Sequence, residues 1–126
     1  MKVLIAEDET PLANNIRLHL EGRQFEGQIE SVEIVDNGRA ALRLIRNNYD
    51  LLILDLKMPE VDGTQVIEAL SERPPQERPS VILITAYPGA YETARLQIKM
   101  GVQALLHKPF ELAELMGLVQ ELVSMR

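Results

Sequence analysis

The stretch Leu51–Gly63 reads LLILDLKMPEVDG and decides the fold of this chain. Its first four residues, Leu51–Leu54, are all apolar, which is typical of a short strand that is buried on both faces. The carboxylate of Asp55 follows directly, and Met58-Pro59 ends the strand, because proline has no amide hydrogen and restricts the residue before it. Open parallel sheets bind their ligands outside the carboxyl ends of the strands, so Asp55 is a candidate for chemistry. The alternative is that Asp55 only caps the loop.

The composition predicts one soluble globular domain over residues 1–126, with 46% hydrophobic and 25% charged residues. The net charge of -6 argues against nucleic-acid binding by this chain, because phosphate backbones attract basic surfaces. The lack of cysteine excludes disulfides and thiolate metal sites. No apolar run reaches the roughly 20 residues of a transmembrane helix, and acids follow the first apolar run too early for a signal peptide. We therefore expect a cytoplasmic protein that does not enter the membrane.

Apolar runs of strand length alternate with helical stripes along the whole chain. The predicted strands are Lys2–Ala6, Ser31–Val35, Leu51–Leu54, Ser80–Ile84 and Gln103–Leu106. The more polar Ser31–Val35 is expected at an edge of the sheet. Five helices are predicted to begin at Thr10-Pro11, at Asn37-Gly38, at Thr64 as the cap, near Tyr91 and near Phe110-Glu111. This alternation predicts an α/β fold, a parallel sheet covered by helices on both faces.

Polar side chains follow four of the predicted strands, at the edge where parallel strands end together. The first strand supplies Glu7 and Asp8, the third Asp55, the fourth Thr85 and the fifth Lys108. Three carboxylates close together repel unless a cation joins them, and a site with oxygen ligands alone suits Mg²⁺. A carboxylate can also attack phosphorus, and a metal, an ammonium and a hydroxyl can each neutralise a phosphoryl oxygen. Asp55 is the best nucleophile candidate, since the other groups flank its central strand.

These motifs together resemble the receiver domain of two-component response regulators over essentially the full chain. The resemblance rests on Glu7-Asp8, on Asp55 with Met58-Pro59 and Asp62-Gly63, on Thr85-Ala86 and on Lys108-Pro109-Phe110. It implies a flavodoxin-like (βα)5 doubly wound three-layer sandwich, with the five-stranded parallel sheet in the order 2-1-3-4-5.

The resemblance also implies a signalling switch in a phosphorelay rather than an enzyme that acts on external substrates. Asp55 would accept a phosphoryl group from a phosphohistidine on a sensor histidine kinase or phosphotransfer protein, and the domain would catalyse its own phosphorylation and dephosphorylation. Thr85 and Lys108 would contact the phosphoryl group after transfer. Lys57 and Tyr87 would tune its lifetime. The ligands of Mg²⁺ or Mn²⁺ would be Glu7, Asp8, Asp55 and the backbone carbonyl of Lys57.

The implied readout is a shift of the fourth helix, the fifth strand and the last helix, which a partner protein or a C-terminal effector domain would detect. Leu96, Met100 and Leu105 are apolar positions near this output face. They fit either ordinary core and surface positions or a patch for a partner or a homodimer. Leu105 stands where many receivers carry Tyr or Phe, so readout by an aromatic ring flip at this position is not implied. Gln97 stands where a small residue is usual, which predicts an altered dimer or partner surface there.

Two other functions stay open at this point. A hydrolase of the haloacid dehalogenase type also uses an aspartate after a strand, but it carries a second aspartate two places later, where this chain has Lys57. A degenerate receiver would act as a binding module without phosphorylation. Three further polar residues are interpreted as lying outside the chemistry. Glu9 is interpreted as a solvated loop charge and His19 as a surface or boundary residue. His107 neighbours the site but is not expected to bind the metal, because several oxygen ligands are at hand.

Overall fold

The computed structural model describes residues 1–58, 63–86 and 102–126. Five strands lie in these ranges: β1 (Lys2–Ala6), β2 (Ser31–Val35), β3 (Leu51–Asp55), β4 (Ser80–Thr85) and β5 (Val102–His107). They form a parallel sheet in the order β2-β1-β3-β4-β5, so the predicted α/β fold and strand order are confirmed. As expected, β3 is the central strand and the more polar β2 is at an edge.

The described helices are α1 (Thr10–Leu20), α2 (Gly38–Leu44), α3 (Gly63–Ser71) and a C-terminal helix (Leu112–Ser124). Asn37 caps α2, because its side-chain oxygen accepts a hydrogen bond from the Ala40 amide at 2.8 Å. Thr64 was expected to cap α3, and this is wrong, since the helix already includes Gly63. The helix predicted near Tyr91 lies outside the described residues.

The sheet separates two apolar clusters, because successive side chains of a strand point to opposite faces. On β3, Leu52 and Leu54 belong to the cluster that contains residues of α2 and α3. Leu51 and Ile53 belong to the cluster that contains residues of α1 and the C-terminal helix. All four side chains are fully buried. Burial on both faces explains why this strand reads as a continuous apolar run.

Asp50 joins three strands at the amino edge of the sheet. Its carboxylate Oδ2 accepts a hydrogen bond from the Lys2 amide at 2.6 Å, and its Oδ1 lies 3.0 Å from Arg126 Nη2. Its backbone amide donates to the Lys2 carbonyl, and its carbonyl accepts from the Ser80 amide. Burial raises the pKa of Asp50, but the Lys2 amide and the Arg126 guanidinium together lower it by more than burial raises it, so the net pKa is below the ordinary value.

None of the helices in the described ranges combines the length and apolar character that crossing a bilayer requires.

Candidate functional site

The site lies at the carboxyl edge of the sheet, where strand register fixes the positions of its side chains. Asp55 is the last residue of β3 and pairs with Ile84 of β4. Thr85 is the last residue of β4 and is fully buried. Its carbonyl accepts a hydrogen bond from the Lys108 amide at 2.7 Å. Glu7 follows β1, and its amide donates to the Val35 carbonyl of β2. The backbone of the sheet therefore holds these four residues at one edge.

The ammonium of Lys108 is the centre of the site. Its Nζ lies 2.8 Å from Glu7 Oε1, 2.6 Å from Glu9 Oε2 and 3.1 Å from Asp55 Oδ2. Burial lowers the pKa of Lys108, but contact with the three carboxylates raises it more, so the net pKa is above the ordinary value. The amine is therefore held as a cation. The peptide bond between Lys108 and Pro109 is cis.

Glu7 is a buried carboxylate on which opposing effects act. It is 1% exposed, and burial raises its pKa to about 7, against the lowering effects of Lys108 and of the Glu9 amide. Its Oε2 accepts a hydrogen bond from that amide at 3.0 Å. Its Oε1 makes the ion pair with Lys108 and has no hydrogen-bond partner of suitable geometry among the described residues. This oxygen is therefore suited to receive a further cationic ligand.

Asp55 is 4% exposed, and a backbone amide and an ammonium bind its two oxygens. Oδ1 accepts a hydrogen bond from the Lys57 amide at 3.0 Å, and Oδ2 accepts one from Lys108 Nζ. The start of α3 packs against the backbone that follows Asp55, since the Gly63 amide donates a hydrogen bond to the Leu56 carbonyl at 2.7 Å. A Cβ added at Gly63 would lie 2.7 Å from Leu56 Cα and 2.8 Å from the Asp55 carbonyl oxygen. Glycine permits this close approach.

Glu7, Asp8 and Asp55 fit a hard divalent cation. Each offers one carboxylate oxygen, and the three oxygens lie within 4.8 Å of one another. Asp8 is exposed, whereas the other two carboxylates are buried, so the cluster is open on one side. Mg²⁺ takes oxygen ligands and keeps several waters, which suits such an arrangement.

The predicted site residues differ in where the structure places them. Glu7, Asp8, Asp55 and Lys108 come together, and Thr85 ends the adjacent strand. Lys57 is exposed, two residues after Asp55. Leu105 is partly buried and packs against the cluster that contains residues of α2 and α3. The predictions for Asp62, Tyr87, Leu96, Gln97 and Met100 concern positions outside the described residues.

Sequence reasoning missed Glu9 as a member of the site. It was interpreted as a solvated charge, and its side chain is indeed 59% exposed, yet its Oε2 contacts Lys108 Nζ at 2.6 Å. Its spacing from Glu7 does not indicate this contact, because Asp8 between them forms a bend, and residues two apart point to the same side only in an extended segment. His19 is exposed on α1, as expected.

An apolar cleft of about 360 Å³ opens beside Lys108. It lies between the start of α1, the end of β4 and the segment after β5. The residues that line it are Glu9, Leu12, Ala86, Lys108, Pro109 and Phe110. Glu9 and Lys108 line the cleft and also belong to the charged site, so the cleft directly adjoins the site.

Comparison with known proteins gives a consistent result. A family model described as the response regulator receiver domain matches residues 3–120. The response regulator ArlR of Staphylococcus haemolyticus is 34% identical over 119 residues, which are 94% of this chain and 50% of that protein. The chain thus spans about half the length of this curated relative.

Solved structures agree with the sequence comparisons. The receiver domain of the Francisella response regulator 1452 superposes with a TM-score of 0.80 at 31% identity, covering 98% of this chain and 97% of that one. The receiver domain of the sensor histidine kinase PA1611 from Pseudomonas aeruginosa PAO1 gives a TM-score of 0.75 at 26% identity, covering 98% and 97%. That structure has a magnesium ion coordinated in its active-site cleft.

Proposed function

The chain belongs to the response regulator receiver domain family of two-component systems, and on that premise we propose that it is a phosphorylation-dependent switch with Asp55 as the phosphoacceptor. The observation that carries the proposal is the contact of Lys108 Nζ with Asp55 Oδ2 beside the carboxylates of Glu7 and Asp8. This contact supports Asp55 as a nucleophile that is paired with a fixed ammonium. The neighbouring carboxylates are of the kind that bind a metal ion. Phosphoryl transfer requires this positioning and charge neutralisation.

The transfer is a displacement at phosphorus. An Asp55 carboxylate oxygen forms the new O–P bond while the P–N bond of the donor phosphohistidine breaks, and the electron pair returns to the imidazole nitrogen. Lys108 then neutralises a phosphoryl oxygen, and Thr85, one residue beyond the β4 partner of Asp55, donates a hydrogen bond from its hydroxyl. Water later attacks the same phosphorus, which releases inorganic phosphate and restores the carboxylate. Lys57 and Tyr87 flank these positions in sequence and set the phosphate lifetime.

In this proposal a divalent cation, Mg²⁺ or Mn²⁺, would be held by Glu7, Asp8, Asp55 and the backbone carbonyl of Lys57. The bound cation supplies positive charge to the phosphoryl oxygens. The buried Glu7 Oε1, which pairs with Lys108 but has no hydrogen bond of suitable geometry among the described residues, supports this assignment. The magnesium ion in the active-site cleft of the P. aeruginosa PA1611 receiver domain supports it independently.

The proposed partners follow from the same chemistry. A sensor histidine kinase or a phosphotransfer protein supplies the phosphoryl group in the cytoplasm. A partner protein or a C-terminal effector domain reads the phosphorylated state, and a homodimer through the face that includes Leu105 is one form of that readout. The domain itself turns over no external substrate, since both of its reactions occur on its own Asp55.

Intact-protein mass spectrometry tests the proposal after incubation with acetyl phosphate and Mg²⁺. We expect the parent protein to gain the mass of one phosphoryl group, and we expect Asp55→Asn and an EDTA-treated parent to gain none. Incorporation into Asp55→Asn would place the acceptor elsewhere. No incorporation into the parent, either from acetyl phosphate or from a phosphorylated kinase domain, would favour a receiver that signals by binding alone.

A further inference from the structure

The three carboxylates around Lys108 differ in depth. The side chains of Glu7 and Asp55 are 0% and 5% exposed, whereas that of Glu9 is 59% exposed. The shortest of the three contacts is nevertheless the one to Glu9, at 2.6 Å. Glu9 is also the one carboxylate of these three that is outside the group of oxygens able to share a metal ion. Lys108 therefore has two buried partners in the metal cluster and one partner at the rim.

We propose that Glu9 is a positioning residue, which retains Lys108 at the rim of the cleft when Glu7 and Asp55 engage a divalent cation. This inference rests on the proposed function, because it requires the cation to bind at Glu7, Asp8 and Asp55. Glu9 acts through Lys108 and does not touch the cation or the phosphoryl group.

The physical reason for this role is that Lys108 and a divalent ion compete for the carboxylate oxygens of Glu7 and Asp55. Lys108 Nζ and a divalent ion repel each other, so the ammonium must loosen from Glu7 and Asp55 for the ion to bind. The Lys108 side chain is only 14% exposed, and a largely buried ammonium that loses its partners is strongly disfavoured. Before the ion binds, Glu9 is one of three carboxylates that contact Lys108. After it binds, Glu9 is the one of the three that still gives the ammonium a charge-assisted hydrogen bond, so its contact stabilises the cation-bound state more than the free state. Its presence therefore strengthens cation binding.

Glu9 also adds a negative charge near the cluster, and this would strengthen cation binding without any contact with Lys108. The two effects are separable, because the contact effect disappears when Lys108 is removed while the through-space effect remains. A double-mutant cycle over Glu9 and Lys108 measures the difference.

The experiment is calorimetric titration of the full chain with Mg²⁺, before any phosphodonor is added. The variants are Glu9→Gln, Lys108→Gln, the double variant and Glu9→Asp, with Glu26→Gln as the control for loss of an exposed carboxylate beyond the far end of α1. We expect Glu9→Gln to raise the Kd for Mg²⁺ by about threefold, and Lys108→Gln to lower it by removing the competing charge. In the Lys108→Gln background, we expect Glu9→Gln to have a clearly smaller effect. Glu9→Asp should lie between parent and Glu9→Gln, because its shorter side chain reaches Lys108 less well.

Three results would overturn the inference. A parent-like Kd in Glu9→Gln would make the Glu9 contact incidental. An equal effect of Glu9→Gln in both backgrounds would reduce Glu9 to a diffuse charge. A parent protein that binds no Mg²⁺ at all would reject the metal part of the proposed function and this inference with it, and that result is recognised without any variant. Circular dichroism of each variant confirms that the fold is retained.

Discussion

Lys57 follows Asp55 by two residues and has two groups that can be varied separately. Its backbone amide donates a hydrogen bond to Asp55 Oδ1, and any residue except proline preserves that donor. Its side chain is exposed and carries a positive charge. The two contributions can therefore be separated by substitutions that keep the backbone unchanged.

We predict that Lys57→Gln lengthens the half-life of the phosphorylated protein by about two- to tenfold. The reason is that an ammonium near the phosphoryl group stabilises the charge that develops on its oxygens during hydrolysis. The measurement is the loss of phosphoryl mass with time after the donor is removed. Lys2→Gln is the control, since Lys2 lies at the amino edge of the sheet, and an unchanged half-life for Lys57→Gln would contradict the role.

The sequence predicted the candidate site residues that end or follow strands. It did not predict the contact between Glu9 and Lys108, which are far apart in the chain. Glu7, Asp55 and Thr85 were identifiable because each follows or ends an apolar run. The pairing of Glu9 with Lys108 joins residues that are 99 positions apart. Nothing local to Glu9 announces this partner, because the contact depends on how α1 and the segment after β5 approach each other.

At the scale of elements, the junction between β3 and α3 depends on Gly63. We predict that Gly63→Ala destabilises the protein by about 1–3 kcal/mol, because the added Cβ meets the backbone of Leu56 and Asp55 and cannot be accommodated by a side-chain rotation. Urea unfolding of both proteins measures the difference.

Gly117→Ala is the matched control for that experiment. Gly117 lies in the C-terminal helix, and a Cβ there would meet nothing within 4 Å. We expect this substitution to stabilise the protein by about 0.5–1 kcal/mol, since alanine is the better helix former. Equal effects of the two substitutions would show that close approach at Gly63 is not the cause.

Strand positions were predictable to within about a residue at each end, and the differences at the carboxyl ends of three strands have a common cause. The prediction ended β3, β4 and β5 before Asp55, Thr85 and His107 because these residues are polar. All three still pair within the sheet, Asp55 with Ile84 and Thr85 with His107. Backbone hydrogen bonding, rather than side-chain polarity, determines where a strand ends.

At the scale of the whole molecule, Asp50 makes stability depend on pH. Its pKa is lower in the folded protein than in the unfolded chain, so its contribution is present above its ordinary pKa of 3.8 and is lost as the pH falls through the folded value. We predict that Asp50→Asn destabilises the protein by about 1 kcal/mol at pH 7, and that this difference shrinks below pH 4. Urea unfolding over a pH series measures it. Glu26→Gln serves as the control, and a difference that is constant with pH would contradict the charge-based account.

Cation binding should also stabilise the whole domain. In the proposed function Mg²⁺ binds the assembled carboxyl edge and not the unfolded chain, so we predict a gain of about 1.4 kcal/mol when its concentration is ten times the Kd. Thermal unfolding with and without Mg²⁺ measures this gain as a rise in Tm. In Asp8→Asn the rise should be much smaller. A rise of equal size in that variant would indicate binding elsewhere on the acidic surface.

The strand order of the sheet is a whole-molecule property that periodicity does not encode. Alternating strands and helices predicted a parallel sheet, and only the resemblance to receiver domains supplied the order that the structure confirms. The crosslink through Asp50 was not identified for a similar reason. Its partners Lys2, Ser80 and Arg126 are distant in sequence and meet only in the folded sheet.

The crosslink at Asp50 and the site around Lys108 occupy opposite edges of one sheet. Substitutions that adjust signalling therefore need not alter the hydrogen bonds that join the strand beginnings. A library that varies the carboxyl-edge loops while Asp50 is kept fixed would explore new phosphate lifetimes and new partners from an unchanged scaffold. In this sense the architecture is modular: the response to phosphorylation in the proposed function can be redesigned, and can diversify through evolution, independently of the ability of the chain to fold.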